Sequence, residues 1–442
     1  MSRPGATVLG AALILSGCVY YNALYNAERL FDQGDRERRE GRDSVARVLY
    51  QDVVRKAAEG YRREPEGEWA DEALLLMGRA YLRLGELREA RSALEEAALR
   101  AGTPEVRFAA ELSLGVARVQ AGDVDGGTPM LSRAIDGLSS SRLRAEGHLW
   151  RGQALLAAGQ PDGGWWDLDQ AAAEPAVRVD AALTRVLWGI RTGNRTRVVE
   201  GMNRLLRFRE GGERVDSVAA LARAAADRWG EGTGVQLLAG VDSARWDRTP
   251  RGMIRLTRAA FLRQTGDTAA AAREVRRVAD GIGPAATEAR LRLAAWQLSQ
   301  ARDLLDARAA LPLLLPAVAD PRVARLVEDL QGAIALAERG FDEPLAWFAA
   351  AEIARDGLGA PDLALGLFLA YADAATPDPW VPKALLAALS VARAEGDQAW
   401  LRGRLEPRAD SPYVLAARGE PALGLEALEE ELARRLEEMR SR

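Results

Sequence analysis

The 442-residue chain has one cysteine and one histidine. A single cysteine excludes an intramolecular disulfide, so packing alone must hold the fold. A single histidine, His148, has no His or Cys companion for a metal site or an imidazole-based general base. It reads as a helix-surface or packed residue. Lysine occurs only at Lys56 and Lys383, and the formal net charge is −4. That balance leaves no basic footprint for nucleic acid, and the abundant arginine reads as compositional bias. No G-x-S-x-G elbow, P-loop or dinucleotide fingerprint occurs. The expectation is therefore a non-enzyme with no cofactor and no metal. Beyond the N-terminus no apolar run approaches the ~20 residues needed to span a bilayer.

What the chain does have is 48% hydrophobic and 28% charged residues, the composition of an ordered protein. Ala, Leu, Arg and Glu dominate and β-branched residues other than Val are sparse, which favours helix. The N-terminus carries Arg3, then the apolar stretch Ala6–Leu15, then Leu15-Ser16-Gly17-Cys18. That order is a signal-peptide pattern, and its last four residues resemble the lipobox of bacterial lipoproteins. The resemblance implies a signal peptide over 1–17, cleavage after Gly17, and acylation of Cys18. Two or more acyl chains, at ~0.8 kcal/mol per buried CH₂, make attachment durable. Val19 stands where lipoproteins retained in the inner membrane have Asp, so the expected location is the outer membrane, facing the periplasm.

Self-comparison finds a repeat. In residues 71–104, Gly78, Tyr81, Gly85, Ala90, Leu94, Ala97 and Pro104 have the spacing of a tetratricopeptide (TPR) repeat, which they resemble directly. The slots have physical meanings. Gly78 lets the two helices of the pair approach, Tyr81 fills the space between them, and Gly85 ends the first helix. Ala90 and Ala97 flank the Leu94 knob. Gly115, Gly122, Leu131 and Ala134 repeat the phase, as do Gly152, Gly159, Leu168 and Ala171. The turn glycine recurs at Gly193, Gly230 and Gly266, at intervals of 34 to 37 residues, with Ala271, Val275 and Val278 following. The 218–245 unit matches least well, and register is lost between about 303 and 345. It returns in Leu345–Pro377 and Trp380–Pro407, and the prolines fall mostly between pairs.

Helix pairs of this kind are stable only when stacked, so the expected fold is all-α: one right-handed α-solenoid of TPR-like pairs. The expected divisions are 18–42 as the lipidated N-terminus and first helix, 43–302 as TPR-like repeats, 303–412 as divergent pairs, and 413–442 as a C-terminal capping helix. In Val19–Phe31, residues Tyr21, Leu24, Tyr25 and Phe31 share a helical face. It reads either as docked on the first repeat or as a membrane-surface or partner contact. The charge run Asp35–Asp43 reads as a solvated turn.

The segments YNAERLF (25–31) and WADEALLLMGRAYLRLGEL (69–87) are similar to the opening of bacterial TPR lipoproteins. These are related to the TPR lipoprotein of the β-barrel assembly machine and to Tol–Pal-associated TPR coordinators. Later pieces such as AEIARDGLGAPDLAL (351–365) look like repeats of the same broad group. The resemblance implies partners of two kinds: the membrane, through acyl chains on Cys18, and one or more envelope proteins or peptides. TPR arrays bind along their first helices. Here that face holds Leu75, Arg79 and Leu82, then Leu112, Val116 and Val119. Leu149, Gln153 and Leu156 follow, then Leu183, Leu187 and Arg191. These positions read equally as groove or as core. The Asn-and-Lys carboxylate clamp of some TPR domains is absent from them. A second functional reading is an accessory factor that binds cell-wall polymer, for which Trp165, Trp166 and Trp188 form the only local aromatic cluster.

Overall fold

The computed structural model describes residues 24–374 and 378–441. Residues 1–17, Cys18, Tyr21 and Pro377 lie outside them. The described residues are helical throughout, without strands. Packing divides the chain into two compact units, Met1–Asp267 and Thr268–Arg442. The sequence reading expected a single array with a change of character at 302/303.

In the first unit, α1 covers residues 24–39 and α2 spans Asp43–Arg63. The pairs then follow in order: α3 (Ala70–Leu84) with α4 (Leu87–Arg100), α5 (Pro104–Gln120) with α6 (Val124–Gly137), and α7 (Ser141–Ala157) with α8 (Pro161–Ala171). Next come α9 (Arg178–Thr192) with α10 (Arg195–Arg207), and α11 (Val215–Trp229) with the short α12 (Glu231–Leu237), before α13 (Arg248–Gln264). Partners within a pair pack on each other, and each pair packs on the next. This is the all-α, TPR-like solenoid expected from the repeat.

The glycine phase has a local cause. Gly85, Gly122, Gly159, Gly193, Gly230 and Gly266 all have positive φ, between 73° and 89°. At Gly85 the amide donates to the Leu82 carbonyl and the next amide, of Glu86, donates to the Tyr81 carbonyl. This is the Schellman stop, which satisfies carbonyls that the helix end leaves free. The same two bonds recur at Gly122, Gly159, Gly193 and Gly266. Gly230 departs from the pattern: its ψ is 156°, and its amide bonds the Ala226 carbonyl instead. That altered turn leads into the truncated α12, which accounts for the weak 218–245 repeat.

Gly78 serves close approach. A Cβ there would lie 2.4 Å from Leu94 Cγ, and Leu94 is fully buried. Gly78→Val is therefore expected to cost about 2–3 kcal/mol through overpacking. Gly85→Val, where nothing lies within 4 Å but φ is +81°, is expected to cost about 1–2 kcal/mol through backbone strain. Urea denaturation of both variants checks the order; an equal or inverted cost would remove the close-approach argument.

In the second unit, α14 (Thr268–Ala279) and α15 (Pro284–Leu298) are followed by two fragments, α16 (Leu304–Arg308) and α17 (Leu311–Leu314). Register is lost here because Pro312 and Pro316, which lack an amide donor, restrict the segment to a short helix and a 3₁₀ turn at Leu315–Ala317. The long α18 (Pro321–Arg339) and α19 (Leu345–Glu352) restore the pairing. They precede α20 (Pro361–Ala374), α21 (Val381–Val391), α22 (Glu395–Leu405) and α23 (Pro412–Ala417). The core of this unit centres on Phe348, whose ring meets Phe368 and Tyr371 edge-on, each at 5.4 Å. The final helix, α24 (Leu425–Ser441), buries Leu432 and Leu436. Trp380 donates its indole N–H to the Leu428 carbonyl at 3.1 Å, and Lys383 pairs with Glu429 at 2.7 Å.

Candidate functional site

Helix α1 is amphipathic in an unusual way: one face is apolar at its start and charged at its end. Leu24, Ala27 and Phe31 are buried, at i, i+3 and i+7. Tyr25 turns away and is 49% exposed, so it does not share the docked face that the sequence assigned to it. One turn beyond Phe31 that face carries Asp35, which is only 3% exposed.

The charge run therefore begins as a buried ionic contact and not as a solvated turn. Asp35 Oδ1 accepts hydrogen bonds from the Tyr50 hydroxyl of α2 at 2.7 Å and from Arg83 Nε of α3 at 3.1 Å. Its Oδ2 accepts one from Arg142 of α7 at 2.7 Å. Arg83 also donates to Glu146 of α7 at 2.7 Å. Arg79, one turn earlier on α3, pairs with Glu146 at 3.8 Å and lies 4.7 Å from the centre of the Phe31 ring. Farther along, Arg38 pairs with Asp180 of α9 at 3.2 Å. The Arg38 carbonyl accepts from Arg214 at 3.0 Å, at the end of the 3₁₀ turn Arg209–Arg214. The chain is thus fastened across the first helices of several successive pairs.

The charges are held ionised by one another. Burial pushes the Asp35 carboxyl up, but Arg83, Arg79 and the Tyr50 hydroxyl override it and hold the group well below the usual carboxylate range. Glu146 is also lowered: burial opposes ionisation, and Arg83 and Arg79 outweigh it. Burial lowers Arg79, whose one ion pair among the described residues is the long one to Glu146.

Beside this network lies a partly enclosed cavity of about 260 Å³. It is lined by Asp35, Arg38, Arg39, Arg83, Arg142, Glu146, Asp180 and Arg214, with Trp150, Gln153, Thr184 and several apolar side chains.

The twelve first-helix positions separate into three groups. Leu82, Leu112, Val116, Leu149 and Leu156 are buried, Leu82, Leu112 and Val116 in one apolar cluster and Leu149 and Leu156 in the next. Leu75, Arg79, Val119, Gln153 and Leu183 are half-buried; Leu149, Gln153 and Leu183 line the cavity, and Arg79 joins it through Glu146. Leu187 and Arg191 on α9 are exposed. Sequence reasoning missed Asp35, Arg38, Arg83, Arg142, Glu146, Asp180 and Arg214. Arg83, Glu146 and Asp180, each one turn from one of the twelve first-helix positions, carried the available signal.

His148 is packed. Its Nδ1 lies 2.7 Å from Oδ1 of Asp167 on α8, and Arg151 grips both oxygens of the same carboxylate at 2.8 Å. Asp167 is fully buried, and Trp166 meets the His148 ring edge-on. Burial works against the Asp167 charge, but Arg151 and His148 together lower its pKa. The three tryptophans do not form one exposed platform: Trp165 is in the core, Trp188 packs partly against that core, and Trp166 is exposed. Among the described residues, no helix is long and apolar enough to cross a membrane.

The paired helices, Schellman glycines and close Gly78–Leu94 contact define a TPR-like repeat array. Among solved structures, a tetratricopeptide repeat protein from Parabacteroides merdae is similar at 14% identity over 57% of this chain and 91% of that chain, with a TM-score of 0.31. Naa15/Naa10 bound to HypK-THB is similar at 14% identity over 90% of this chain and 66% of that chain, with a TM-score of 0.29. No family model and no curated protein matches the chain.

Proposed function

We propose that this chain is a lipid-anchored scaffold of the bacterial cell envelope. It faces the periplasm from the outer membrane and acts by binding other envelope proteins rather than by catalysis. Outer-membrane protein assembly or envelope organisation is the setting its sequence resemblance suggests. The observation that carries the scaffold reading is the succession of stacked helix pairs. A fold that repeats the same pair presents a row of first-helix side chains to a partner, with Leu187 and Arg191 at its open part on α9. The anchor reading rests on the sequence Leu15-Ser16-Gly17-Cys18. Cys18 precedes Leu24 by few residues, so an acyl group on it would hold α1 within about 20 Å of a bilayer.

The test is native-membrane fractionation with crosslinking, comparing wild type with Cys18→Ser. Wild type is expected in the membrane fraction, labelled by fatty acid and crosslinked to an envelope protein. The variant is expected to be soluble and unlabelled. A Cys18→Ser protein that stays with the membrane and takes up no less label overturns the anchor. A wild-type protein recovered from membranes only as an uncrosslinked monomer overturns the scaffold.

A further inference from the structure

Five guanidinium groups and three carboxylates line the cavity beside α1, and the excess of positive charge is not evenly shared. Each carboxylate is already committed: Asp35 to Arg83 and Arg142, Glu146 to Arg83, and Asp180 to Arg38. Two of the cations have no carboxylate partner among the described residues. Arg214 has one hydrogen bond, to a neutral carbonyl. Arg39, half-buried at the cavity wall, has neither a hydrogen bond nor an ion pair among the described residues. The Arg38 Nε is buried and lacks an acceptor. Gln153 and Thr184 add neutral polar groups to the wall.

We propose that this cavity binds a small phosphate-class dianion. Two guanidiniums without a carboxylate and the orphaned Arg38 Nε leave more donors than acceptors, and placing donors without acceptors in a half-closed space is costly. A doubly charged tetrahedral oxyanion supplies both the charge and the acceptor oxygens, in the fork geometry that guanidinium favours. Size and enclosure select a small ligand over an extended peptide. The Arg38–Arg214 bond lays the end of α1 across the first-helix face. Just beyond it, Gly41 comes so close to the Glu213 carbonyl that a Cβ would sit 2.9 Å from that oxygen. A chain threading along this face would have to displace that crossing. The site is independent of the lipid anchor and of the protein partner.

The test is calorimetric titration of the full chain with inorganic phosphate at low ionic strength, with succinate, sodium chloride and a poly-glutamate peptide as comparison titrants. Saturable phosphate binding is expected, tighter than that of succinate, with no saturable chloride binding. Arg39→Gln and Arg214→Gln are each expected to weaken phosphate binding about tenfold or more, since each removes a charge-assisted contact. Neither removes a partner from a carboxylate: Arg39→Gln should keep the wild-type melting temperature, and Arg214→Gln, which loses its bond to the Arg38 carbonyl, should keep the wild-type circular dichroism. The proposal is overturned by the absence of saturable phosphate binding, or by unchanged affinity in both folded variants. Succinate binding as tightly as phosphate would also overturn it. Tighter binding of poly-glutamate would assign the cavity to an acidic chain and overturn the small-ligand assignment.

Discussion

Asp35→Ala is expected to destabilise the first unit by about 3–5 kcal/mol, the range for removing one partner from a buried ion pair. The loss has three sources, all visible in the contacts of one side chain. Arg83 would keep only Glu146, Arg142 would lose its shorter carboxylate contact, and the Tyr50 hydroxyl would be buried without an acceptor. A drop on the order of 10 °C in melting temperature follows. Asp35→Asn, which preserves shape and an acceptor for Tyr50, should lose less. The same group gives a signed pH dependence. Its folded pKa is depressed, so its contribution is complete above the unfolded value of about 3.9 and fades as pH falls below it. Wild type should therefore lose stability on acidification through that range more steeply than Asp35→Ala. Equal stability of the two proteins at pH 7, or parallel pH profiles, would show that the buried contact stabilises nothing.

Trp246→Ala should have an effect of similar size, about 3–5 kcal/mol, although no repeat position marks this residue. Where a regular pair would continue its second helix, α12 stops at seven residues and a 3₁₀ turn follows at Ala239–Ser243. Trp246, 2% exposed, fills the space that remains. Its indole N–H reaches the Leu205 carbonyl at 3.2 Å and the Phe208 carbonyl at 2.9 Å, both at the end of α10. Gly212 packs so tightly on the ring that a Cβ there would come within 3.0 Å of Cγ. Trp246→Phe keeps most of the bulk but not the donor, and should cost about 1 kcal/mol. Denaturant melts of the two variants separate volume from hydrogen bonding. A loss in Trp246→Phe as large as in Trp246→Ala would place the stabilisation in the N–H and not in the filled space.

These two residues mark the limit of what could be read in advance. Gly78 opposite Leu94, and the turn glycines from Gly85 to Gly266, were legible because each reports a condition local to one helix pair. The irregular pair at 218–245 was legible only as a poor match. Its cause, the ψ of Gly230 and the plug of Trp246, depends on what the neighbouring helix offers. The loss of register after 303 had a readable cause in Pro312 and Pro316, though the short helices they leave did not follow from the pattern. The twelve first-helix positions were drawn from a correct repeat phase. Phase alone did not distinguish Leu112, which is buried, from Arg191, which is exposed, because burial depends on what packs from outside the pair.

The sequence by itself determined the helical class, the period and the turns, because a left-handed glycine and a small residue at a helix crossing act within a few residues of themselves. Only the tertiary structure decided the fate of the charge run after Phe31. Asp35 finds Arg83 and Arg142 at separations of 48 and 107 residues, and Arg38 finds Asp180 at 142. A charged stretch is solvated by default because burying an unpaired ion is prohibitive. The stacked helices bring opposite charges to meet it, and no pattern local to α1 records that they will.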